Sequence, residues 1–204
     1  MLLIMIISAY LLGSIITGSI LAKIKGIDIR QSGSGNPGAT NAFRAMGWKI
    51  GALTLLGDVT KGVMPVWIGY LIGFRYWELA AIGAAVFIGH LFPAFSHFKG
   101  GKGVATAAGI FLVLNPGGLG IAALAFVLVY GISRYVSLAS ILGAAAVFFV
   151  QIIRLAPWHY PNLSLTIFSF AVFIAILYSH RKNIEKLWNG TEKKVYFKWG
   201  RAKN

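Results

Sequence analysis

Long apolar runs are the feature that most limits what this chain can fold into. A helix needs about 20 predominantly apolar residues to cross the roughly 30 Å hydrocarbon core of a bilayer. Runs that reach or approach this length lie at residues 2–22, 50–74, 79–98, 136–153 and 163–178. Charged residues make up only 12% of the chain, about half their share in an ordinary soluble domain. We therefore predict an all-α fold, a polytopic integral membrane helix bundle.

A sixth apolar stretch, residues 104–132, is interrupted in its middle. The sequence Asn-Pro-Gly-Gly at 115–118 strongly favours a turn. We predict two short helices on either side of it, which gives about seven membrane helices in total. A length of 204 residues suits one compact domain, so we predict a single membrane-embedded domain over residues 1–204.

The distribution of Lys and Arg predicts how the bundle lies in the membrane. Cytoplasmic loops carry an excess of these residues. Residues 23–49, 99–102 and 134 fall on one side of the predicted bundle, and together with a basic tail at about 181–204 they hold 16 of the 19 Lys and Arg residues. This places the N-terminus outside and the C-terminal tail in the cytoplasm.

Composition also excludes several classes of chemistry. The chain has no cysteine, so it has no disulfides, thiol nucleophiles or thiolate zinc sites. Hard cations need several oxygen ligands, whereas the five acidic residues are scattered, so we expect no metal site and no cofactor. The net charge of +14 falls between apolar runs instead of on a soluble face, which argues against nucleic acid as a partner.

The first of three polar, glycine-rich segments covers residues 31–44. If a helix begins after Pro37, Thr40 and Arg44 lie on one face at i,i+4 and Asn41 lies beside them. Amides at a helix start favour an anion, and arginine binds phosphate through two parallel hydrogen bonds. The alternative is a flexible surface loop that ends in a helix cap. The candidate substrate-binding residues here are Ser34, Asn36, Thr40, Asn41 and Arg44.

The second segment runs from residue 89 to residue 106 and also predicts an anion site. Lys-Gly-Gly-Lys-Gly at 99–103 opens a helix, which brings backbone amides and two ammonium groups together. The spacing is not that of a P-loop, so phosphate binding is favoured and ATP hydrolysis is not. The alternative is a basic turn at the membrane interface. The candidate substrate-binding residues are His90, Lys99, Gly100, Gly101, Lys102 and Gly103.

The third segment, residues 179–187, follows the last apolar run. His180 and Asn183 share a helical face at i,i+3, and Arg181 and Glu185 are spaced at i,i+4 to form an ion pair. The alternative is a basic stop sequence whose other polar residues are incidental.

Two ionisable residues, Asp58 and Lys61, lie inside an apolar run at i,i+3. Such residues are costly in a membrane and usually face the protein interior in pairs. A structural ion pair is the main prediction for Asp58. A role for Lys61 in binding a buried substrate head group is the alternative.

These segments, in this order, resemble the three motifs of the PlsY family, the bacterial acyl-phosphate:glycerol-3-phosphate acyltransferases. The resemblance covers nearly the whole chain. It implies that a fatty acyl group passes from acyl phosphate to the 1-hydroxyl of glycerol 3-phosphate, giving lysophosphatidic acid and phosphate for phospholipid synthesis. The residues that carry it are Gly33-Ser34-Gly35-Asn36 through Arg44, Gly89-His90 through Gly103, and His180 with Asn183 and Glu185.

The resemblance also implies where the enzyme works and with what partners. We expect a multi-pass protein of the bacterial inner membrane whose active site faces the cytoplasm. Its partners are the two small-molecule substrates and the lipid bilayer, with no obligate protein partner. Glu185 has a structural role in this interpretation, and the acyl chain stays in the bilayer while its phosphate reaches residues 100–103.

Within this reading, His180 and Asn183 are the predicted catalytic residues. His180 either deprotonates the attacking hydroxyl, with Asn183 fixing the geometry, or positions glycerol phosphate while the departing phosphate takes the proton. The competing hypothesis is a transporter or channel for a phosphorylated or other anionic metabolite. Clustering of the polar segments on one side of the bundle favours the enzyme.

Overall fold

The structure, a computed structural model, describes residues 1–154 and 163–196. Within these ranges the chain forms α-helices and one 3₁₀ turn, Ala94–Ser96, and no strand, which confirms the all-α prediction. The helices are α1 (Leu2–Gly13), α2 (Thr17–Ile24), α3 (Ala39–Met46), α4 (Trp48–Leu71), α5 (Tyr76–Leu91), α6 (Val104–Leu114), α7 (Pro116–Ser133), α8 (Val136–Arg154), α9 (Leu163–Ser179) and α10 (Arg181–Trp188).

Length and composition identify the helices able to cross a membrane. Among the described residues, three segments qualify alone: Tyr76–Ser96, Pro116–Ser133 and Val136–Ile153. The bent pairs α1–α2 and α9–α10 bring the number in these ranges to as many as five. The break predicted at 115–118 is present, because Asn115 caps α7 by accepting a hydrogen bond from the amide of Gly118 at 3.0 Å. Of the two helices that flank this break, α6 is short, with 11 residues, whereas α7 has 18 and reaches spanning length, contrary to the prediction of two short helices.

The prediction of one helix over residues 2–22 is wrong. The chain breaks after Gly13, resumes as a helix at Thr17 and changes direction by 40°. The orientation in the membrane, the total number of spans and the single-domain boundaries stay predictions. The last part of the predicted basic tail, residues 197–204, lies outside the described residues.

The outer surface of the bundle is apolar, as a bilayer requires. On α7, for example, Val127, Leu128 and Ile132 are exposed, the last of them to 88%. Water would make such a surface unfavourable by about 25 cal/mol per Å², whereas lipid tails solvate it without this cost.

Small residues let the inner helices approach closely. A side chain at Gly62 on α4 would meet the Thr106 carbonyl of α6 at 2.3 Å, and one at Gly109 on α6 would meet the Val59 carbonyl of α4 at 2.1 Å. Helices that associate inside a membrane depend on such packing because lipid supplies no hydrophobic driving force between them. The close α4–α6 contact fixes the start of α6, which becomes part of the site described below.

An ion pair stabilises the break between α1 and α2. The Lys61 ammonium lies 2.9 Å from a carboxylate oxygen of Asp58, so the predicted pair forms, and both side chains are buried. The same ammonium donates to the Ile15 carbonyl at 2.7 Å, and the Thr17 hydroxyl donates to Asp58 at 3.0 Å. The pair therefore supplies partners for polar groups that the break leaves in an apolar layer.

Replacing Lys61 with Met should destabilise the protein strongly. The substitution leaves the Asp58 carboxylate buried without its cation, which costs about 3–5 kcal/mol in comparable buried pairs. The midpoint of thermal unfolding in detergent measures the effect. The double variant D58N/K61M is the matched control and should recover part of the loss, because both charges are then absent. Equal losses in the single and double variants would contradict a role for the pair.

Candidate active site

The three polar segments converge on one pocket at an end of the bundle. The pocket encloses about 250 Å³ and opens where α3, the start of α6 and α10 meet. Residues from all three segments line it, although they are up to 149 positions apart in the sequence. The predicted site residues that line it are Ser34, Asn36, Thr40, Asn41, Arg44, Asp58, His90, Lys102, Gly103, His180 and Asn183.

The start of α3 brings the first segment into the pocket. The helix begins at Ala39, as predicted from Pro37, and Thr40 and Arg44 both line the cavity. Ahead of it, the Asn36 side chain accepts a hydrogen bond from the amide of Gly38 at 2.8 Å, which forms a tight Asx turn. This turn precedes the helix that carries Thr40 and Arg44 into the pocket.

Asn41 holds the glycine-rich loop together. Its side-chain oxygen accepts from the amide of Ser34 at 2.7 Å, and its side-chain nitrogen donates to the carbonyls of Ser32 at 2.9 Å and Ile29 at 3.2 Å. Both amide hydrogens are therefore engaged inside the loop. Asn41 therefore orders the loop, and its predicted contact with substrate stays a prediction.

Two glycines of the second segment are packed against α5 and do not face the pocket. The amides of Gly100 and Gly101 donate to the carbonyls of Leu91 and His90, each at 3.1 Å. A side chain at Gly101 would lie 2.3 Å from Nε2 of His90. Both amides are thus already used as donors within the protein, and the role predicted for these glycines in phosphate binding stays a prediction.

The start of α6 faces the pocket instead. Gly103 precedes the helix in the left-handed conformation, with φ of +82°, which glycine adopts without strain. Val104 and Ala105 then line the cavity with the first turn of an 11-residue helix. The unpaired amides and the positive end of the helix dipole make this a favourable place for an anion.

Two predicted basic ligands lie elsewhere. Lys99 is exposed outside the pocket, and its carbonyl accepts a hydrogen bond from the guanidinium of Arg30. Lys61 is engaged with Asp58 and the Ile15 carbonyl. Arg44 and Lys102 are thus the two basic side chains of the described residues that line the pocket.

A chain of hydrogen bonds fixes Lys102. Its ammonium donates to the side-chain oxygen of Asn183 at 2.5 Å, and the side-chain nitrogen of Asn183 donates to Glu192 at 2.8 Å. The hydroxyl of Ser137 donates to the same Glu192 oxygen at 2.7 Å. The Asn183 side chain thus accepts a hydrogen bond from Lys102 through its oxygen and donates one to Glu192 through its nitrogen.

Sequence reasoning missed Glu192 and Ser137. Glu192 lies in the basic tail with no motif around it, and its partner Ser137 is 55 positions away. Its one local signal is the scarcity of acidic residues in this chain, which makes each of them worth testing.

The ring of His180 is oriented by the backbone. His180 is 2% exposed, and its Nδ1 lies 2.8 Å from the Ile176 carbonyl. A carbonyl oxygen only accepts hydrogen bonds, so Nδ1 carries the proton and Nε2 of the neutral ring is left as an acceptor. His180 also lines the pocket, so its Nε2 can accept a hydrogen bond from a hydroxyl group of a bound molecule.

His90 is a second buried histidine on the pocket wall. Its Nδ1 lies 3.1 Å from the Thr106 hydroxyl and 3.8 Å from the Asp58 carboxylate. These contacts connect the membrane ion pair to the wall of the site.

The predicted ion pair between Arg181 and Glu185 is wrong. Both side chains are exposed, and no such pair occurs among the described residues. Arg181 instead donates to the Tyr178 carbonyl at 3.1 Å and places its guanidinium carbon 4.3 Å from the centre of the Tyr178 ring. An exposed ion pair is worth little in water, so the aromatic contact prevails.

The start of the tail packs beside the pocket. The Arg44 guanidinium donates to the Lys193 carbonyl at 2.9 Å. Val195 makes two further hydrogen bonds with its backbone. Its amide donates to the Arg134 carbonyl at 3.0 Å, and its carbonyl accepts from the Tyr130 hydroxyl at 2.9 Å. These contacts bring Glu192 to the site.

Burial changes the electrostatics of Lys102. Loss of water around the ammonium lowers the pKa of Lys102 to about 8; Glu192 opposes this shift, and the charges of Arg44 and Lys186 reinforce it. An anion bound in the pocket would favour the protonated form.

Fold and site together define a polytopic membrane protein whose polar segments form one pocket lined by Arg44 and Lys102. The chain belongs to the glycerol-3-phosphate acyltransferase family, because the sequence profile of this family matches residues 3–190. Glycerol-3-phosphate acyltransferases of Trichlorobacter lovleyi and Geobacter sulfurreducens are 46% and 45% identical to it. The matches cover 93% and 90% of this chain and 95% and 92% of the relatives.

Solved structures agree with this assignment. Crystal structures of PlsY (YgiH), an integral membrane glycerol 3-phosphate acyltransferase, are 39% identical with a TM-score of 0.89 in the glycerol 3-phosphate form and 38% identical with a TM-score of 0.86 in the lysophosphatidic acid form. Each comparison covers 96% of both chains. The resemblance found in the sequence is thus confirmed, and family membership favours an acyltransferase over a transporter or channel.

Anion binding should weaken as the pH rises through the pKa of Lys102. With a pKa of about 8, the ammonium is mostly charged near pH 7 and mostly neutral near pH 9, so the affinity for sulfate should fall about tenfold. Sulfate suits the measurement because its own charge is constant over this range. Calorimetric titration of K102R is the control, since arginine keeps its charge and should remove the pH dependence. An unchanged pH profile in K102R would contradict the assignment to Lys102.

Proposed function

We propose that this acyltransferase transfers a fatty acyl group from acyl phosphate to the 1-hydroxyl of glycerol 3-phosphate, giving lysophosphatidic acid and inorganic phosphate. The observation that carries the proposal is the convergence of Arg44, Lys102 and His180 on one pocket at the end of an apolar bundle. Two cations suit two phosphates, and the histidine suits a hydroxyl.

The acceptor and the product have direct support from related structures. The PlsY structures are a glycerol 3-phosphate form and a lysophosphatidic acid form. Similarity over 96% of both chains supports the same two molecules as ligands of this pocket.

An acyl phosphate fits the chemistry of the donor side. It is a mixed anhydride and already activated, so attack on it needs no covalent enzyme intermediate, and the chain has no cysteine to form one. Its phosphate binds at the cationic end of the pocket, and apolar lining residues such as Leu55, Phe126 and Val136 lead the acyl chain toward the bilayer.

The reaction is a direct substitution at the acyl carbon. The glycerol 1-oxygen forms a bond to the carbonyl carbon, and the bond from that carbon to the phosphate oxygen breaks. The hydroxyl proton passes to Nε2 of His180 or to the departing phosphate. Lys102, Arg44 and the first-turn amides of α6 stabilise the negative charge on the leaving group.

The residues divide into those that touch substrate and those that position them. We assign His180 to the attacking hydroxyl, and Arg44, Lys102, Ser34 and Thr40 to the phosphates. Asn183 orients Lys102 through the bond at 2.5 Å and is itself oriented by Glu192. The lining residues Asn36, His90 and Gly103 shape the walls, with His90 fixed by Thr106.

We place the site on the cytoplasmic side of the bacterial inner membrane. The excess of Lys and Arg in the segments that form the pocket supports this orientation. It gives access to glycerol 3-phosphate, which is charged and cannot cross the hydrocarbon core.

Purified protein should release phosphate from palmitoyl phosphate only when glycerol 3-phosphate is present. The assay omits metal ions, CoA and acyl carrier protein, and lysophosphatidic acid should form in equal amount. Equal phosphate release without glycerol 3-phosphate would mean simple hydrolysis. Absence of product from folded protein would overturn the choice of donor.

Substitution of His180 should separate the two proton routes. If His180 is the base, H180A and H180Q should both lose about 10²-fold or more in turnover, while sulfate binding is retained. In wild type, the rate should also fall as the pH drops and His180 becomes protonated, and this part of the pH–rate profile should be absent in both variants. Near-normal turnover in H180Q would exclude the base and favour the departing phosphate as proton acceptor. The exposed His97 supplies the control, and H97N should be fully active.

A further inference from the structure

The outer side of α10 continues the lipid-facing surface of α9. On α9, exposed Ile167, Phe170, Ile174 and Tyr178 follow one another at helical spacing. A bend of 57° follows, and on α10 the apolar side chains of Ile184 and Trp188 are exposed at i,i+4 spacing. Trp188 is 91% exposed, which is unusual for tryptophan unless the side chain contacts something outside the protein.

The residues at the bend are of the kinds found at membrane interfaces. Tyr178 is the last exposed aromatic of α9, and the guanidinium of Arg181 covers its ring at 4.3 Å. Tyrosine, tryptophan and arginine are enriched at the headgroup level, where an apolar body meets a polar layer. A helix that starts at this level and turns away from the preceding span would lie along the interface.

Charge on α10 matches that layer. Its eight residues include three basic side chains, Arg181, Lys182 and Lys186, against one acidic side chain, Glu185, and all four are exposed. Lys193 and Lys194 follow in the tail. Anionic headgroups attract such a cluster, and each basic residue near the surface strengthens the contact about fivefold.

The opposite side of α10 belongs to the active site. Asn183 points to Lys102 and Glu192, and His180 immediately precedes the helix. We infer that the outer face of α10, formed by Arg181, Ile184 and Trp188 with Lys182 at its edge, lies on anionic phospholipid headgroups of the protein's own bilayer, and that this contact holds the helix that presents Asn183. Turnover therefore depends on the charge of the surrounding lipid.

A lipid-charge titration tests this inference with a matched charge control. The full chain is reconstituted in nanodiscs of zwitterionic lipid, alone or mixed with an anionic phospholipid, and turnover is measured. Wild type should gain about fivefold from the anionic lipid at low salt, and R181Q/K182Q should lose that gain while keeping its activity in zwitterionic lipid. The control K23Q/K25Q removes two exposed basic residues from the end of α2 and should keep the gain.

A second measurement is independent of catalysis. The chain has no cysteine, so N189C carries a single spin label next to Trp188. In anionic nanodiscs the label should be more accessible to lipid-dissolved oxygen than to an aqueous nickel chelate, and R181Q/K182Q should reverse this preference. Aqueous exposure of the label in both lipids would overturn the inference and leave the face to a protein partner. An equal gain in R181Q/K182Q and wild type would overturn the coupling to turnover. Failure of the acyl phosphate donor would appear separately, as absence of turnover in every lipid with normal label accessibility.

Discussion

Desolvation of charge inside an apolar bundle is the constraint on which this structure depends. A polar group in hydrocarbon has to find a partner within the protein. Asp58 and Lys61 meet this requirement together and add the Ile15 carbonyl and the Thr17 hydroxyl to the same cluster. The break in the first helical segment exists because these partners are available, and α2 leaves the membrane layer in a new direction as a result.

The same constraint explains why the chemistry lies at an end of the bundle. Transfer of a charged phosphate group into the hydrocarbon core is strongly unfavourable, whereas an acyl chain is well solvated there. The start of α6 lines the pocket, and glycine packing against α4 fixes its position. Lys102 and Arg44 supply positive charge there, and because burial lowers the pKa of Lys102, its ammonium gains from a bound anion.

Sequence predicts well what depends on neighbouring residues. Hydropathy located most helices, and Pro37 located the start of α3 and with it the face that carries Arg44. The break after Gly13 was not predictable because its partner Lys61 is 46 positions from Ile15. Glu192 was not predicted as a site residue for the same reason. The sequence also does not show that the amides of Gly100 and Gly101 donate to carbonyls of α5.

The contacts of the tail have a consequence for how the enzyme is made. Residues 34–44 leave the ribosome before Glu192 and Lys193, which contact Asn183 and Arg44. A nascent chain that has not yet reached these two residues lacks the hydrogen bonds that order this side of the pocket. The pocket is therefore completed by a late contact between distant parts of the chain, after the segments that carry Arg44 and Lys102 have been made.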